Sequence, residues 1–247
     1  MNLVLDLGNS RCKWALAGAD LKPGSALAYG EDFARALDQT FGPLPRPVQV
    51  AAVSVAGAAL TDTLAHWVQR HWSLDLLRFS ARAVQCGVTN TYRDPAQLGA
   101  DRWAALIAAR ARAPGAACVV DCGTAVTVDA LDAGGVFRGG VILPGLALMR
   151  AALQQRTQGV NAAEGDTGSV LAHTTADGVA AGTLFGLAGA IDRILDEQSA
   201  ELGAAPRVLL TGGDAPVLQA LLRHTTQLAP DLVLEGVARM AATEGGA

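Results

Sequence analysis

The sequence predicts an α/β protein built as two similar lobes facing a cleft, and three observations predict it. An apolar strand that ends in aspartate and runs into a glycine turn occurs twice, as Leu3-Val4-Leu5-Asp6-Leu7-Gly8-Asn9 and as Cys118-Val119-Val120-Asp121-Cys122-Gly123-Thr124. That interval is too long for a solenoid repeat and suits a duplicated domain. In each half, strands come first and then alternate with helical patterns, the order expected of mixed sheets flanked by helices. The 247 residues are 51% apolar and only 17% charged, enough to build a core and far from the composition of a disordered chain.

Leu3 to Leu7 reads as a strand, Gly8-Asn9-Ser10 as a turn, and Cys12 to Ala17 as the returning arm of a hairpin. Val48 to Val55 is a β-branched run. In Ala58 to Trp72, Leu60, Leu64, Trp67 and Val68 recur at helical spacing. Cys86 to Pro95 is turn-rich, and Leu98 to Arg112 is a helix closed by Pro114-Gly115, which sets the expected lobes at 1–113 and 114–247. The second half opens with strand Ala117 to Val120 and a hairpin arm over Ala125 to Leu131. There follow strand Val136 to Leu143, a helix after Pro144-Gly145, a long helix from about Thr175 to Ala200, strand Arg207 to Thr211, and helices beginning near Pro216 and Leu232.

Charge and composition narrow the partners. The net charge is −4 and the arginines are scattered, so nucleic acid is not expected. The N-terminus has no basic region or cleavage site of a signal peptide, and Gly178 to Ile191, a long uncharged stretch, is shorter than a membrane span needs. The four cysteines form no CxxC pair and the four histidines are dispersed. Reduced thiols in the cytoplasm are therefore expected, rather than zinc or disulfides.

The chemistry gathers at the two turns. In Asp6 to Lys13, Gly8 allows backbone N–H groups close to phosphate oxygens, Asn9 and Ser10 are donors, and Lys13 supplies charge. Asp6 is a candidate Mg²⁺ ligand. The competing reading is a ligand-free hairpin turn of type I′ or a related type. Asp121-Cys122-Gly123-Thr124 repeats the pattern, and a second turn opposite the first would clamp a polyphosphate. Thr211-Gly212-Gly213-Asp214 follows a strand and offers a bare glycine surface to a base or ribose, although a glycine pair at such a turn is more often simple turn chemistry. No GxxxxGK[ST] motif and no protein-kinase motif set occurs.

Duplicated lobes that each open with a DxG hairpin, followed by a GG turn, resemble the superfamily of acetate and sugar kinases, Hsp70 and actin. That resemblance implies two ribonuclease H-like, actin-like ATPase domains with an active site between the lobes. Tyr92-Arg93-Asp94-Pro95-Ala96-Gln97-Leu98-Gly99-Ala100-Asp101-Arg102, with its LGxDR signature, resembles the substrate segment of type III pantothenate kinases. DxGNxxxK at Asp6 to Lys13, DxGTAxT at Asp121 to Thr127 and GGxIxPG at Gly139 to Gly145 follow in that family's order.

The resemblance implies ATP-dependent phosphorylation of pantothenate to 4′-phosphopantothenate, the first step of coenzyme A biosynthesis. Another small-molecule kinase of the superfamily, or a non-catalytic regulator on the fold, is the alternative. It further implies ATP binding by Asp6, Leu7, Gly8, Asn9, Ser10, Arg11, Cys12, Lys13 and Thr124, with Mg²⁺. Contacts to pantothenate fall to Tyr92, Gly99, Ala100, Asp101, Arg102 and Thr175, the last placed by matching Thr175 to Gly182 with a TxxAIxSG segment. Asp121 would hold a potassium or ammonium ion, with Mg²⁺ or a purely structural role as alternatives, and the chain would be a homodimer.

Chemically, Asp101 is placed to accept a hydroxyl proton, for which an ordinary carboxylate pKa suffices, while Arg102 pairs with a substrate carboxylate or the moving phosphate. A helix-dipole role for Asp101 with a solvated Arg102 is the competing reading. Gly182-Thr183-Leu184-Phe185-Gly186 has the spacing of close helix packing, within the subunit or across a dimer.

Overall fold

The computed structural model describes residues 1–30, 32–157, 165 and 168–244. They form two compact units, Met1–Ala113 with Asp231–Ala247, and Pro114–Pro230.

The first unit is built from β1 (Asn2–Leu7), β2 (Arg11–Ala17), β3 (Leu21–Pro23), β4 (Leu27–Ala28), α1 (Phe33–Phe41), β5 (Val50–Ser54), α2 (Ala58–Trp72), β6 (Leu76–Phe79), the hairpin β7 (Val84–Gln85) and β8 (Val88–Asn90), and α3 (Ala100–Arg112). The second contains β9 (Ala117–Cys122), β10 (Ala125–Leu131), β11 (Val136–Pro144), α4 (Leu146–Arg156), α5 (Thr175–Leu202), β12 (Arg207–Thr211), α6 (Ala215–Gln219) and β13 (Thr226–Leu228). The last helix, α7 (Leu232–Glu244), returns to the first unit.

The duplication is a topological one. In the first unit the strands lie in the order β3-β2-β1-β5-β6, with β4 also paired to β2; in the second the order is β11-β10-β9-β12-β13. In both, the strand that ends in aspartate is central, antiparallel to the next strand of its hairpin and parallel to a later one. The mixed sheets predicted from sequence are thus present, with Asp6 and Asp121 at equivalent ends.

One face of each sheet joins a large hydrophobic cluster. Leu3, Leu5 and Leu7 pack with Phe33, Leu37, Phe41, Leu64 and Trp67 of α1 and α2, while Cys118, Val120 and Cys122 pack with Val126, Leu184, Leu187 and Ile191. Period-two alternation along a strand accounts for this: the residues between them, Asp6 and Asp121 included, point to the opposite face.

Helix α1 escaped the sequence reading although Phe33, Leu37 and Phe41 recur every four residues and the Asp32 carboxylate accepts the Arg35 N–H at 2.9 Å as its cap. The two- to four-residue strands β4, β6 and β13 are too short to show a period.

Three sequence expectations change. Residues 231–244, within the range assigned to the second lobe, pack with the first unit. Helix α7 lies on α3 so closely that a Cβ at Gly236 would overlap the Ala104 carbonyl, and the Glu235 carboxylate accepts from Arg112 Nε at 2.8 Å and Nη2 at 2.6 Å. Gly182 and Gly186 do not mediate close packing within the subunit: among the described residues a Cβ at either meets open space, because the buried side of α5 is formed by Ala181, Leu184, Leu187 and Ala188. That helix, at 28 residues, is long and apolar enough by composition to cross a membrane, yet half of its most apolar stretch is buried inside the protein.

Replacing Gly236 with alanine is expected to force α3 and α7 apart and destabilise the protein by about 1–3 kcal/mol. Urea unfolding would show this as a lower midpoint at unchanged slope.

Candidate functional site

In the first unit, Asp6 is the penultimate residue of the central strand and is 7% exposed. It pairs in register with Lys13 of β2 and Val53 of β5, so Lys13 stands on the same face as the carboxylate. The Gly8 N–H donates to the Arg11 carbonyl at 3.2 Å. None of Gly8, Asn9 and Ser10 has a positive φ, which excludes the type I′ turn because that turn needs two such residues. Asn9, Ser10 and Arg11 are exposed, whereas Leu7 and Cys12 are fully buried. Of the nine residues predicted to bind ATP, Leu7 and Cys12 therefore offer only backbone atoms. The Cys12 thiol is pushed up to about 12, first by burial and then by the nearby Asp6 charge.

The Tyr92–Arg102 segment folds around two side chains that sequence reasoning singled out and one that it missed. Asn90, 8% exposed, accepts the Tyr92 N–H at 3.0 Å and donates to the Pro95 carbonyl at 3.2 Å. It thereby shapes the loop that presents Tyr92, and its only sequence signal is the turn preference of asparagine. Asp94 caps the short 3₁₀ turn Pro95–Gln97 by accepting the Ala96 N–H at 3.1 Å. Arg102 is 8% exposed, so the solvated alternative is excluded. Its Nη1 donates to the Tyr92 hydroxyl at 3.1 Å, and its guanidinium lies 6.0 Å from the Tyr92 ring centroid.

Asp101 sits in the first turn of α3, where its Oδ1 accepts the Arg102 N–H at 2.7 Å. A Cβ at Gly99 would stand 2.6 Å from that same Oδ1. The glycine of LGxDR is therefore the space the carboxylate occupies, and buried Ala100 fills the position between them. Burial raises the Asp101 pKa above the ordinary carboxylate value, opposed by the Arg102 N–H and then by the Arg102 charge. An ordinary carboxylate pKa would suffice for that role; the enclosure that holds Asp101 in place also desolvates it.

In the second unit, Asp121 pairs in register with Thr127 of β10 and Thr211 of β12. Gly123 N–H donates to the Ala125 carbonyl at 3.2 Å, mirroring the first turn with one residue fewer. Thr124 is exposed at its tip, and its carbonyl accepts the Gly145 N–H at 3.0 Å, which ties the GGxIxPG segment to the turn. Gly212 has φ 92° and approaches so closely that a Cβ there would lie 2.6 Å from Asp121 Oδ1. The GG turn thus walls the carboxylate.

Thr175 is the first residue of α5, after Thr174, whose hydroxyl accepts the Asp177 N–H at 3.1 Å. It borders a shallow depression of about 450 Å³ between α4 and α5 with Met149, Leu153, Val179 and Thr183.

A family model described as type III pantothenate kinase matches residues 2–197. A type III pantothenate kinase of Alkalilimnicola ehrlichii is 42% identical over 98% of this chain and 98% of its own length. One from Nitrosococcus oceani is 39% identical over 98% and 94%. Among solved structures, the activator of 2-hydroxyisocaproyl-CoA dehydratase from Clostridium difficile superposes with a TM-score of 0.57 at 12% identity, covering 100% of this chain and 97% of that one. At that identity the likeness concerns the fold alone.

The Asp101 pKa shift has a sign for stability. Its folded-state pKa lies above the unfolded value, so the folded state binds the proton more tightly, and above the folded pKa the buried charge costs stability. Asp101→Asn keeps an acceptor for the Arg102 N–H and removes the charge. It is expected to raise Tm at neutral pH, with the gain shrinking as pH falls, as read by thermal melts across pH.

Proposed function

The chain belongs to the type III pantothenate kinase family, and from that premise we propose how its residues carry the family's reaction. It transfers the γ-phosphoryl group of ATP to the hydroxyl of pantothenate, giving 4′-phosphopantothenate, the opening step of coenzyme A biosynthesis. The observation that carries the assignment of a base is Asp101, oriented by the Arg102 N–H and desolvated in the space left by Gly99.

Asp101 takes the hydroxyl proton as the substrate oxygen bonds to the γ-phosphorus and the bond to ADP breaks. Phosphoryl transfer demands positioning and charge neutralisation above all, and Arg102, braced by Tyr92, supplies a fixed cation for pantothenate's carboxylate or the moving phosphoryl group. Tyr92, Gly99 and Ala100 shape that substrate segment, and Thr175 at the start of α5 is a further pantothenate contact.

For the nucleotide, the exposed donors Asn9, Ser10 and Arg11, the Gly8 backbone and Lys13 serve the phosphates, with Leu7 and Cys12 contributing backbone only; Thr124 is a second contact. Asp6 suits Mg²⁺, which commonly takes one or two carboxylates besides substrate phosphates. When bound, that ion neutralises charge on the phosphoryl oxygens. Asp121 suits a monovalent cation, K⁺ or NH₄⁺. Among the described residues no group of three or more His, Cys, Asp or Glu gathers, so a cation there draws on hydroxyl and carbonyl oxygens, the donors K⁺ accepts.

A cytoplasmic setting is supported by four free cysteines, of which Cys118 and Cys122 are pushed up to about 12 by burial. A homodimer is supported by the exposed Gly182 and Gly186 on α5 and by exposed Ile142, Leu148 and Leu153, since an apolar face of this kind suits an interface.

With ATP and Mg²⁺, ATP consumption is expected to depend on pantothenate among a panel of alcohols. Asp101→Asn lowers kcat by roughly 10²-fold or more; near-normal turnover would remove Asp101 from the role of base. A base acts deprotonated, so the rate falls as pH drops through its raised pKa. Arg102→Gln, which deletes a charge that lowers that pKa, is expected to move this limb of the kcat profile to higher pH. Light scattering after gel filtration is expected to report a dimer for the wild type and a monomer for Gly186→Leu.

A further inference from the structure

The two threonines that flank Asp121 differ in a way that the reaction so far leaves unused. Across β12, β9 and β10, Thr211, Asp121 and Thr127 form one transverse row on a single face of the sheet, with opposed Cβ atoms about 4.5–5.5 Å apart across an antiparallel pair. The Thr211 hydroxyl is engaged by the fold, donating to the Pro230 carbonyl at 3.2 Å. Thr127 Oγ1 is buried and has no hydrogen-bond partner among the described residues. A buried hydroxyl without a partner is costly, and such an atom in a folded protein asks for an explanation.

The surroundings supply one. On the other side of Asp121, Gly212 closes over the carboxylate and leaves room for backbone alone. Thr127 offers two lone pairs beside a carboxylate, in a spot with no Lys or Arg on the neighbouring strand positions Val126, Val128, Ile142 and Thr211. A carboxylate, a hydroxyl and nearby backbone carbonyls form an oxygen-only donor set, which suits a hard, weakly hydrated cation. Residue 127 closes the DxGTAxT motif, in which only Asp121 and Thr124 had been given work.

We infer that Thr127 is a specificity-determining ligand of the monovalent-cation site at Asp121, its Oγ1 lone pair completing the site that the carboxylate anchors. The inference rests on the reading of Asp121 as that cation's ligand. It accounts for a threonine on a strand position where valine would pack as well: the hydroxyl earns nothing from the folded chain alone and gains its partner only with the ion.

Thermal melts of the substrate-free protein in KCl against equimolar choline chloride test this directly, alongside the K⁺ dependence of kcat. In the wild type K⁺ raises Tm, as any ligand of the folded state does. Thr127→Val is expected to keep or raise Tm in choline chloride, lose most of the K⁺-induced rise, and need roughly 10-fold or more K⁺ for half-activation, the usual scale for a lost ligand-shell group. Thr127→Ser is expected to restore both responses, and Thr127→Ala reads the same way if valine impairs folding.

A Thr127→Val protein with wild-type K⁺ responses while Asp121→Asn loses them would overturn the role of Thr127 and leave Asp121 standing. Identical K⁺ responses in wild type and Asp121→Asn would overturn the Asp121 reading and this inference with it. Loss of Tm in choline chloride with an intact K⁺-induced rise would mark Thr127 as structural and likewise overturn it.

Discussion

A buried central strand that must end in a carboxylate is the constraint on which both units depend. β1 and β9 each have an antiparallel neighbour on one side and a parallel neighbour on the other, so their backbone groups are consumed by the ladders and their register cannot slip without inverting every side chain. Leu3, Leu5 and Leu7, like Cys118, Val120 and Cys122, are committed to the core. Asp6 and Asp121 are thereby forced to the other face, at the strand end next to a tight turn. The two carboxylates are held by hydrophobic packing on the face they do not occupy.

The same economy operates at Asp101. Its position is set by α3, whose alanines at 104, 105, 108 and 109 are buried and whose Ala104 meets Gly236 of the last helix. A helix packed that tightly fixes its first turn, and the first turn fixes the carboxylate. Desolvation is the consequence, and it opposes stability in the act of raising basicity. In the role proposed for it, Asp101 draws on a site that packing alone would not favour.

Much of this was legible in the sequence. The repeat of strand, aspartate and glycine pointed to a duplication, and the strand orders of the two units repeat it. LGxDR drew attention to Gly99, Asp101 and Arg102. Other features were not legible because their causes lie across long chain separations. Asn90, which shapes the loop of Tyr92, looks like any turn asparagine. The engagement of Arg102 by Tyr92 and its burial cannot be inferred from a spacing of ten residues. Nor can the approach of Gly212 to Asp121, which joins positions that no local pattern connects.

The sequence by itself determined the alternation of strands and helices, the central carboxylates and the motif that names the family, because these depend on periodicity and on residue chemistry within a few positions. Only the tertiary structure decided that the last helix returns to the first unit, that Gly182 and Gly186 face outward, and that Thr127 stands beside Asp121 with an unsatisfied hydroxyl. Each of these depends on which surfaces meet, and that is settled by burial of apolar faces from distant segments, which a linear pattern does not encode.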